Sequence, residues 1–120
     1  MKHTNNLFKG FVHAYNGIVC AINERNVRFH LAATICVCVS AYILQLSMLE
    51  WALILSAIVL VLITEFINTC IELICDVLTS DYSIPIKNIK DIAAASVLLS
   101  ALYASFIAVL ILYPKILLYI

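Results

Sequence analysis

The sequence predicts an all-α integral membrane protein, in which an N-terminal amphipathic surface helix precedes three transmembrane helices in each chain. Composition is the first observation: 65% of the 120 residues are hydrophobic and the mean hydropathy is +1.10, whereas a soluble domain is nearer half apolar and buries only part of its chain. The second is that three apolar runs are long enough, at about 1.5 Å per residue, to cross or nearly cross a hydrocarbon layer of about 30 Å. We expect a single domain over residues 1–120.

Residues 4–24 show the periodicity of an amphipathic helix. Lys9, His13, Asn16 and Asn23 fall mostly on one face. The apolar residues fall on the other face: Leu7, Phe8, Phe11, Val12, Tyr15, Ile18, Val19 and Ile22. Such a helix is predicted to lie in the membrane interface. The alternative is a helix of a soluble protein, packed on its core. This chain has little sequence that could form a soluble core.

Three runs are predicted to span the membrane, at residues 29–47, 51–77 and 91–113. Within the first run, only Gln45 and a few Ser or Thr residues interrupt the apolar stretch at 31–46. The second run is apolar in its first half and carries acidic residues in its second half. The third run ends before Pro114, where the apolar stretch stops.

The basic residues predict how the spans are oriented. None lies in the short connection at 47–50, and six lie in the N-terminal segment or in the hydrophilic connection at 79–90. These six are Lys2, Lys9, Arg25, Arg28, Lys87 and Lys90. The positive-inside rule therefore predicts a multi-pass protein of the cell membrane whose N-terminus is cytoplasmic and whose C-terminus is outside.

The charge balance excludes one class of partner. Seven basic and seven acidic residues give a formal net charge of zero, so there is no basic surplus to neutralise nucleic-acid phosphates. We expect no nucleic-acid partner. The five cysteines lie in apolar runs and are predicted to be small packing residues.

The polar residues of the second span share one helix face. Glu65, Asn68, Glu72 and Asp76 are spaced i, i+3, i+7 and i+11, which places them in an arc of roughly 80° at 100° per residue. An acid costs about 2.5 kcal/mol or more near the centre of a bilayer, so such residues indicate a functional site. Asp76 has a simpler alternative, because it lies near the helix end and could reach water.

Further charged residues are predicted to lie at the same membrane boundary. Glu24 and Arg28 come before or at the start of the first span, and Lys90 and Asp91 stand at the start of the third. Carboxylates bind Mg²⁺ together with substrate phosphates, a lysine neutralises phosphate charge, and a further carboxylate takes a proton from an attacking hydroxyl. These residues predict phosphoryl transfer from a soluble nucleotide to a membrane-bound alcohol. Alternatively, Lys90 and Arg28 are orientation anchors only, and His30 is predicted to be an interfacial anchor because no His or Cys has ligand spacing to it.

A non-enzymatic transport or assembly subunit is the alternative function. Its acids would form an ion path, which continues acidic or amide side chains through the bilayer. Here the acids stop at Glu65 and residues 52–63 are apolar, which favours an enzyme. Gly10 and Gly17 are the only glycines, so ATP would be bound without a P-loop or a kinase glycine-rich loop.

Three stretches carry motifs. Residues 65–76 read E-F-I-N-T-C-I-E-L-I-C-D, residues 90–95 read K-D-I-A-A-A, and residues 24–30 read E-R-N-V-R-F-H. In this order they resemble E-x-x-N-[ST]-A-I-E-x-x-x-D, K-D-x-[AG]-[AS]-A and E-R-N-x-[RK]-x-H of the small prokaryotic diacylglycerol kinase family, which includes the undecaprenol kinases of Gram-positive bacteria. The third motif favours the undecaprenol kinases of the family over the enterobacterial diacylglycerol kinases. The chain departs from the family over residues 81–87, where E-Y-H and H-P-L-A-K are usual.

The resemblance, which covers nearly the whole chain, implies a bacterial lipid kinase. Such an enzyme transfers the γ-phosphate of ATP to a lipid alcohol, undecaprenol or diacylglycerol, at the cytoplasmic face of the membrane, with Mg²⁺ as cofactor. It also implies a homotrimer whose composite active sites lie between protomers.

The same resemblance implies roles for individual residues, carried over by motif position. Glu65 is the general base on the lipid hydroxyl, and Asn68 helps to position substrate and base. Glu24 and Glu72 hold the magnesium ions that accompany ATP. The remaining positions contact the nucleotide phosphates and their surroundings: Lys90, Asp91 and Asp76.

Overall fold

The computed structural model describes the backbone of residues 2–120 and the side chains of residues 5–120. These residues form four helices and no strand: α1 (Lys2–Ile22), α2 (Arg25–Ile43), α3 (Met48–Leu78) and α4 (Ile84–Leu117). The last three are long and apolar enough to cross a membrane, which confirms the predicted fold class. Met1 and the side chain of Lys2, which the orientation prediction counts, lie outside the described part.

Helix α3 runs antiparallel to both α2 and α4. It packs most extensively on α4. We call one end of this bundle the polar end; it contains the start of α2, the end of α3 and the start of α4. The opposite end contains the α2–α3 turn and the end of α4. There Ala41, Leu46 and Ile54 form a buried apolar cluster. The candidate site lies at the polar end.

Helix α1 leaves its apolar face uncovered. Leu7, Phe8, Phe11 and Tyr15 are each about two-thirds exposed, and the contacts of α1 with the bundle are mainly with α2. The apolar face that the sequence predicts is therefore free to enter lipid, as an interfacial helix does.

The α2–α3 turn comprises residues 44–47 and so lies earlier in the chain than the predicted spans 29–47 and 51–77 place it. Gln45 takes a left-handed conformation with φ 55°, which ends the helical path of α2. Ser47 then caps α3: its hydroxyl accepts from the Glu50 N–H, and the Glu50 carboxylate accepts from the Ser47 N–H. This capping box starts α3 at Met48, so residues 48–50 belong to its first turn rather than to a connection.

Helix α4 is longer at both ends than the predicted range 91–113. Pro85 lies in its first turn, where a residue without an N–H costs nothing because that N–H has no intrahelical partner. Much of the hydrophilic stretch at 79–90 is therefore helix, and only residues 79–83 connect α3 to α4. At the other end, Pro114 lies inside the last turns and the helix continues to Leu117.

Candidate active site

The acidic face of α3 turns into the bundle at the polar end. Glu65 is 2% exposed and Asn68 is 4% exposed, although both are polar. The spacing of three residues puts them one above the other on one helix face, and that face looks toward α2 and α4. Glu72 lies one turn further on and is partly exposed. The buried part of the predicted face is thus Glu65 and Asn68, and Glu72 leads from it toward solvent.

These three side chains line a pocket of about 180 Å³ at the polar end. Helices α2 and α4 supply the rest of its wall: Asn26, Phe29, His30, Ala94 and Val97. A water molecule takes up about 30 Å³ in the liquid, so the pocket has room for several waters or for part of a polar ligand. Two carboxylates and two amides face it, which makes it rich in oxygen acceptors.

Asn68 is held so that its carbonyl oxygen has no partner. Its Nδ2 donates to Glu72 Oε1 at 3.2 Å, which fixes the amide plane, and its Oδ1 is buried without a hydrogen bond. A buried acceptor of this kind costs free energy unless a ligand or water satisfies it. Carboxylate and amide oxygens are the ligands that Mg²⁺ prefers in proteins. Glu72 and Asn68 Oδ1 therefore suit a hard cation or a hydrogen-bond donor.

Glu65 has one basic neighbour at ion-pair distance among the described residues. The Nε2 atom of His30 lies 3.7 Å from Glu65 Oε2, and the His30 side chain is 18% exposed. This distance is longer than a hydrogen bond. The carboxylate is thus buried with little compensation, which is the state expected of a group that acts on a bound reactant.

The residues predicted to surround the nucleotide phosphates, Lys90, Asp91 and Asp76, take part in two ion pairs, one of which also includes Lys87. Lys90 Nζ lies 2.7 Å from Asp76 Oδ1 and joins α4 to α3, and Lys87 Nζ lies 2.6 Å from Asp91 Oδ2 one turn away on α4. All four side chains are well exposed. Exposed ion pairs contribute little to stability, so either lysine can exchange its carboxylate for a phosphate. None of these residues lines the pocket itself.

Glu24 does not line the pocket. It is the exposed N-cap residue of α2, and its side chain makes no capping hydrogen bond. Arg28 donates instead to the backbone oxygen of Asn23, 3.1 Å away. Among the described residues no three His, Cys, Asp or Glu side chains lie close enough to hold a metal ion. The metal-binding role that the sequence predicts for Glu24 and Glu72 stays a prediction.

Asn26, Phe29 and His30 are site residues that the sequence prediction does not include. Because α2 begins at Arg25 rather than at residue 29, Asn26 and His30 stand four residues apart on one helix face. That spacing is the signal that places both in the pocket, and it disappears if the helix starts at residue 29. His30 was predicted to anchor the chain at the interface, whereas it contacts the buried Glu65.

An apolar groove of about 240 Å³ adjoins the pocket and shares Phe29 and His30 with it. It runs between α2, α3 and α4 toward the opposite end. Its other lining residues are small or aliphatic, with two hydroxyls: Ala33, Thr34, Val37, Ile54, Ala57, Ile58, Val61, Ala101, Ala104, Ser105 and Ala108. The combination can hold an amphiphile, with its polar group beside Glu65 and its hydrocarbon tail along the groove.

The chain is similar to several bacterial lipid kinases. The family model described as prokaryotic diacylglycerol kinase matches residues 12–112. An undecaprenol kinase of Bacillus subtilis is 38% identical over 112 residues, which are 92% of this chain and 91% of that protein. A diacylglycerol kinase of Synechocystis is 32% identical over 93% of this chain, which spans 65% of that relative's length. A diacylglycerol kinase of Helicobacter pylori is 27% identical over 88% of this chain and 84% of the length of that protein.

Proposed function

The chain belongs to the prokaryotic diacylglycerol kinase family and is an ATP-dependent lipid kinase, and from that premise we propose that it phosphorylates undecaprenol at the cytoplasmic face of a bacterial cell membrane. One observation carries the proposal: the buried carboxylate of Glu65 stands where a polar pocket meets an apolar groove. A lipid alcohol has the same division into a hydroxyl and a tail. Family membership replaces the alternative of a transport or assembly subunit.

Glu65 is the general base of the proposed reaction. Its carboxylate accepts the proton of the lipid hydroxyl while the hydroxyl oxygen forms a bond to the γ-phosphorus, and the bond from that phosphorus to the β–γ bridging oxygen breaks to release ADP. Burial of the Glu65 side chain excludes water, which would otherwise compete with the lipid for the phosphoryl group. Asn68 Oδ1, which lacks a partner, is placed to contact the reacting groups.

Glu72 and Asn68 fit a magnesium ion, because they offer a carboxylate and an unpartnered carbonyl oxygen. Mg²⁺ usually takes one or two protein carboxylates and fills its remaining positions with phosphate oxygens and waters. When bound, it would neutralise charge on the phosphates of ATP. We assign Glu24 as the second carboxylate, supplied by a neighbouring copy of the chain.

Lys90 and Lys87 are proposed to bind the nucleotide phosphates. Both lie on the first turns of α4, close to the pocket, and both are held by exposed carboxylates that a phosphate can displace. Asp76 and Asp91 then keep the lysine side chains extended before ATP arrives. Arg25, Arg28, Lys87 and Lys90 all lie at the polar end, and Lys115 lies at the opposite end, which supports a cytoplasmic polar end.

A homotrimer whose sites are shared between chains is part of the proposal, and the position of Glu24 outside the pocket supports it. Co-assembly of the variants Glu24→Gln and Glu72→Gln tests it directly, at a low Mg²⁺ concentration at which neither variant alone is active. Random mixing in a symmetric ring leaves about a quarter of the sites with both glutamates, so about a quarter of the activity should return. If each site were built within one chain, the mixture would stay inactive.

The substrate assignment rests on similarity and on the shape of the groove. Identity is higher to the undecaprenol kinase than to either diacylglycerol kinase, and the groove is a single channel between three helices, which suits one polyprenyl chain. The purified protein is given labelled ATP with undecaprenol or diacylglycerol in mixed micelles. We expect a higher kcat/KM for undecaprenol; a preference for diacylglycerol would overturn the assignment of substrate and leave the kinase intact.

A further inference from the structure

His30 lines both the polar pocket and the apolar groove, as Phe29 does. Its ring therefore lies at the depth where the hydroxyl of a lipid alcohol meets Glu65. The rings of Phe29 and His30 meet edge to face, with centroids 5.5 Å apart and planes at 79°. This contact restricts how the imidazole can turn.

Three other basic groups at the polar end have partners elsewhere. Lys90 pairs with Asp76, Lys87 pairs with Asp91, and Arg28 donates to a backbone oxygen. His30 is thus the basic side chain that the described residues bring to Glu65, with Nε2 3.7 Å from Oε2. A shift of less than 1 Å converts this distance into a hydrogen bond, and catalytic hydrogen bonds are often long before substrate is bound.

We propose that His30 is a positioning residue for the proposed base: on lipid binding its Nε2–H donates to Oε2 of Glu65 and turns Oε1 toward the lipid hydroxyl. The inference depends on the proposed role of Glu65. A carboxylate that is held at one oxygen presents the other in a single direction, and orientation of this kind contributes to rate rather than to substrate affinity. His30 gains and loses no proton in the step; the hydroxyl proton passes to Glu65.

Two substitutions at His30 separate a positioning role from a packing role. His30→Gln keeps an N–H near the place of Nε2, whereas His30→Leu keeps the bulk and removes the donor. We expect His30→Leu to lower kcat by about tenfold to a hundredfold, the usual effect of losing a group that orients a functional residue, with KM for ATP unchanged. His30→Gln should recover most of the lost kcat. Equal kcat in the two variants would overturn the proposal.

A double variant tests whether His30 acts through Glu65. If it does, adding His30→Leu to Glu65→Gln should not lower the residual rate further, because the contribution of His30 to the rate depends on the Glu65 carboxylate. Additive losses would show a separate role for His30. Tyr42→Phe, an exposed α2 position at the opposite end, is the matched control, and size-exclusion chromatography checks assembly of each variant.

Failure of this inference is distinguishable from failure of the proposed function. Full activity in Glu65→Gln would remove the proposed base and the positioning role with it. An inactive Glu65→Gln beside a fully active His30→Leu would remove the positioning role alone. If His30→Leu does not assemble, His30→Asn replaces it: its shorter side chain withdraws the donor while staying polar, and it should lose kcat as His30→Leu would.

Discussion

Two glutamates on α3, Glu50 and Glu65, have different surroundings at the two ends of the bundle. At the end with the α2–α3 turn, Glu50 accepts a hydrogen bond from the Ser47 N–H at 2.8 Å and pairs with Lys115 at 3.0 Å, and its side chain remains 29% exposed. At the polar end, Glu65 is 2% exposed and has only His30, 3.7 Å away. A carboxylate with its partners built in stabilises the fold, whereas one that lacks them is available to a reactant.

The same contrast extends to the neighbours of each glutamate. Glu50 completes a capping box and joins α3 to the last turn of α4, so its role is complete within the folded chain. Asn68, beside Glu65, keeps a buried oxygen without a partner. Substitutions at the polar end should therefore change activity more than stability, and substitutions at the opposite end should do the reverse.

At the polar end, a large effect on magnesium dependence is expected from a change at Glu72. Glu72→Gln removes a carboxylate charge but keeps an oxygen, so the Mg²⁺ concentration for half-maximal activity should rise by about tenfold to a hundredfold. Titration of activity with Mg²⁺ at fixed ATP measures it. Glu50→Gln is the matched control and should titrate as the wild type does. An unchanged Mg²⁺ dependence in Glu72→Gln would remove this residue from the metal site.

Asn68→Leu sharpens the comparison because it separates activity from stability. The change removes a buried acceptor that has no partner, so the melting temperature should not fall and should rise if the site collapses well. Activity should fall by about tenfold or more, since the oxygen that faces the pocket is lost. Thermal unfolding in detergent and a phosphate-transfer assay give the two values. A large loss of stability would mean that Asn68 serves the fold.

Glu50→Gln should have the reverse effect. It weakens the capping box and the pair with Lys115, so the melting temperature should fall by a few degrees while kcat stays at the wild-type value. Lys115→Met should give a similar fall, because it breaks the same pair from the other side. Loss of activity at an unchanged melting temperature in either variant would break the comparison between the two ends.

A smaller effect is expected where α3 meets α4 just inside the site. The hydroxyls of Thr64 and Ser100 lie 2.7 Å apart, and hydrogen bonds between membrane helices are worth about 0.6 kcal/mol on average. A double-mutant cycle with Thr64→Val and Ser100→Ala should give a coupling free energy near this value. No measurable coupling would mean that the bond does not contribute to holding α4 against α3.

Much of the fold follows from local patterns in the sequence. The apolar runs predict the three long helices, and the spacing of Glu65, Asn68 and Glu72 predicts that they share a face. Pro85 in a polar stretch suggests a loop, yet the same residue suits the first turn of a helix. Local sequence does not decide between these, because the packing of α4 on α3 determines where α4 begins.

The candidate site could be predicted only where its residues belong to one helix. Glu65 and Asn68 follow from the period of α3, whereas His30 and Asn26 depend on where α2 starts and on how it packs against α3. The contact of His30 with Glu65 joins residues 35 positions apart in the sequence. The periodicity of a single helix does not predict a contact between two helices. That Glu24 pairs with Glu72 of a neighbouring chain remains a prediction.

The most direct test of the central claim is the rate of γ-phosphate transfer to undecaprenol by Glu65→Gln in protein that assembles like the wild type. The substitution keeps the size of the side chain and removes its ability to accept a proton. If Glu65 is the base, the rate should fall by about a hundredfold or more, while Glu50→Gln transfers phosphate at the wild-type rate. Transfer by Glu65→Gln at the wild-type rate would contradict the assignment of the polar end as the catalytic end.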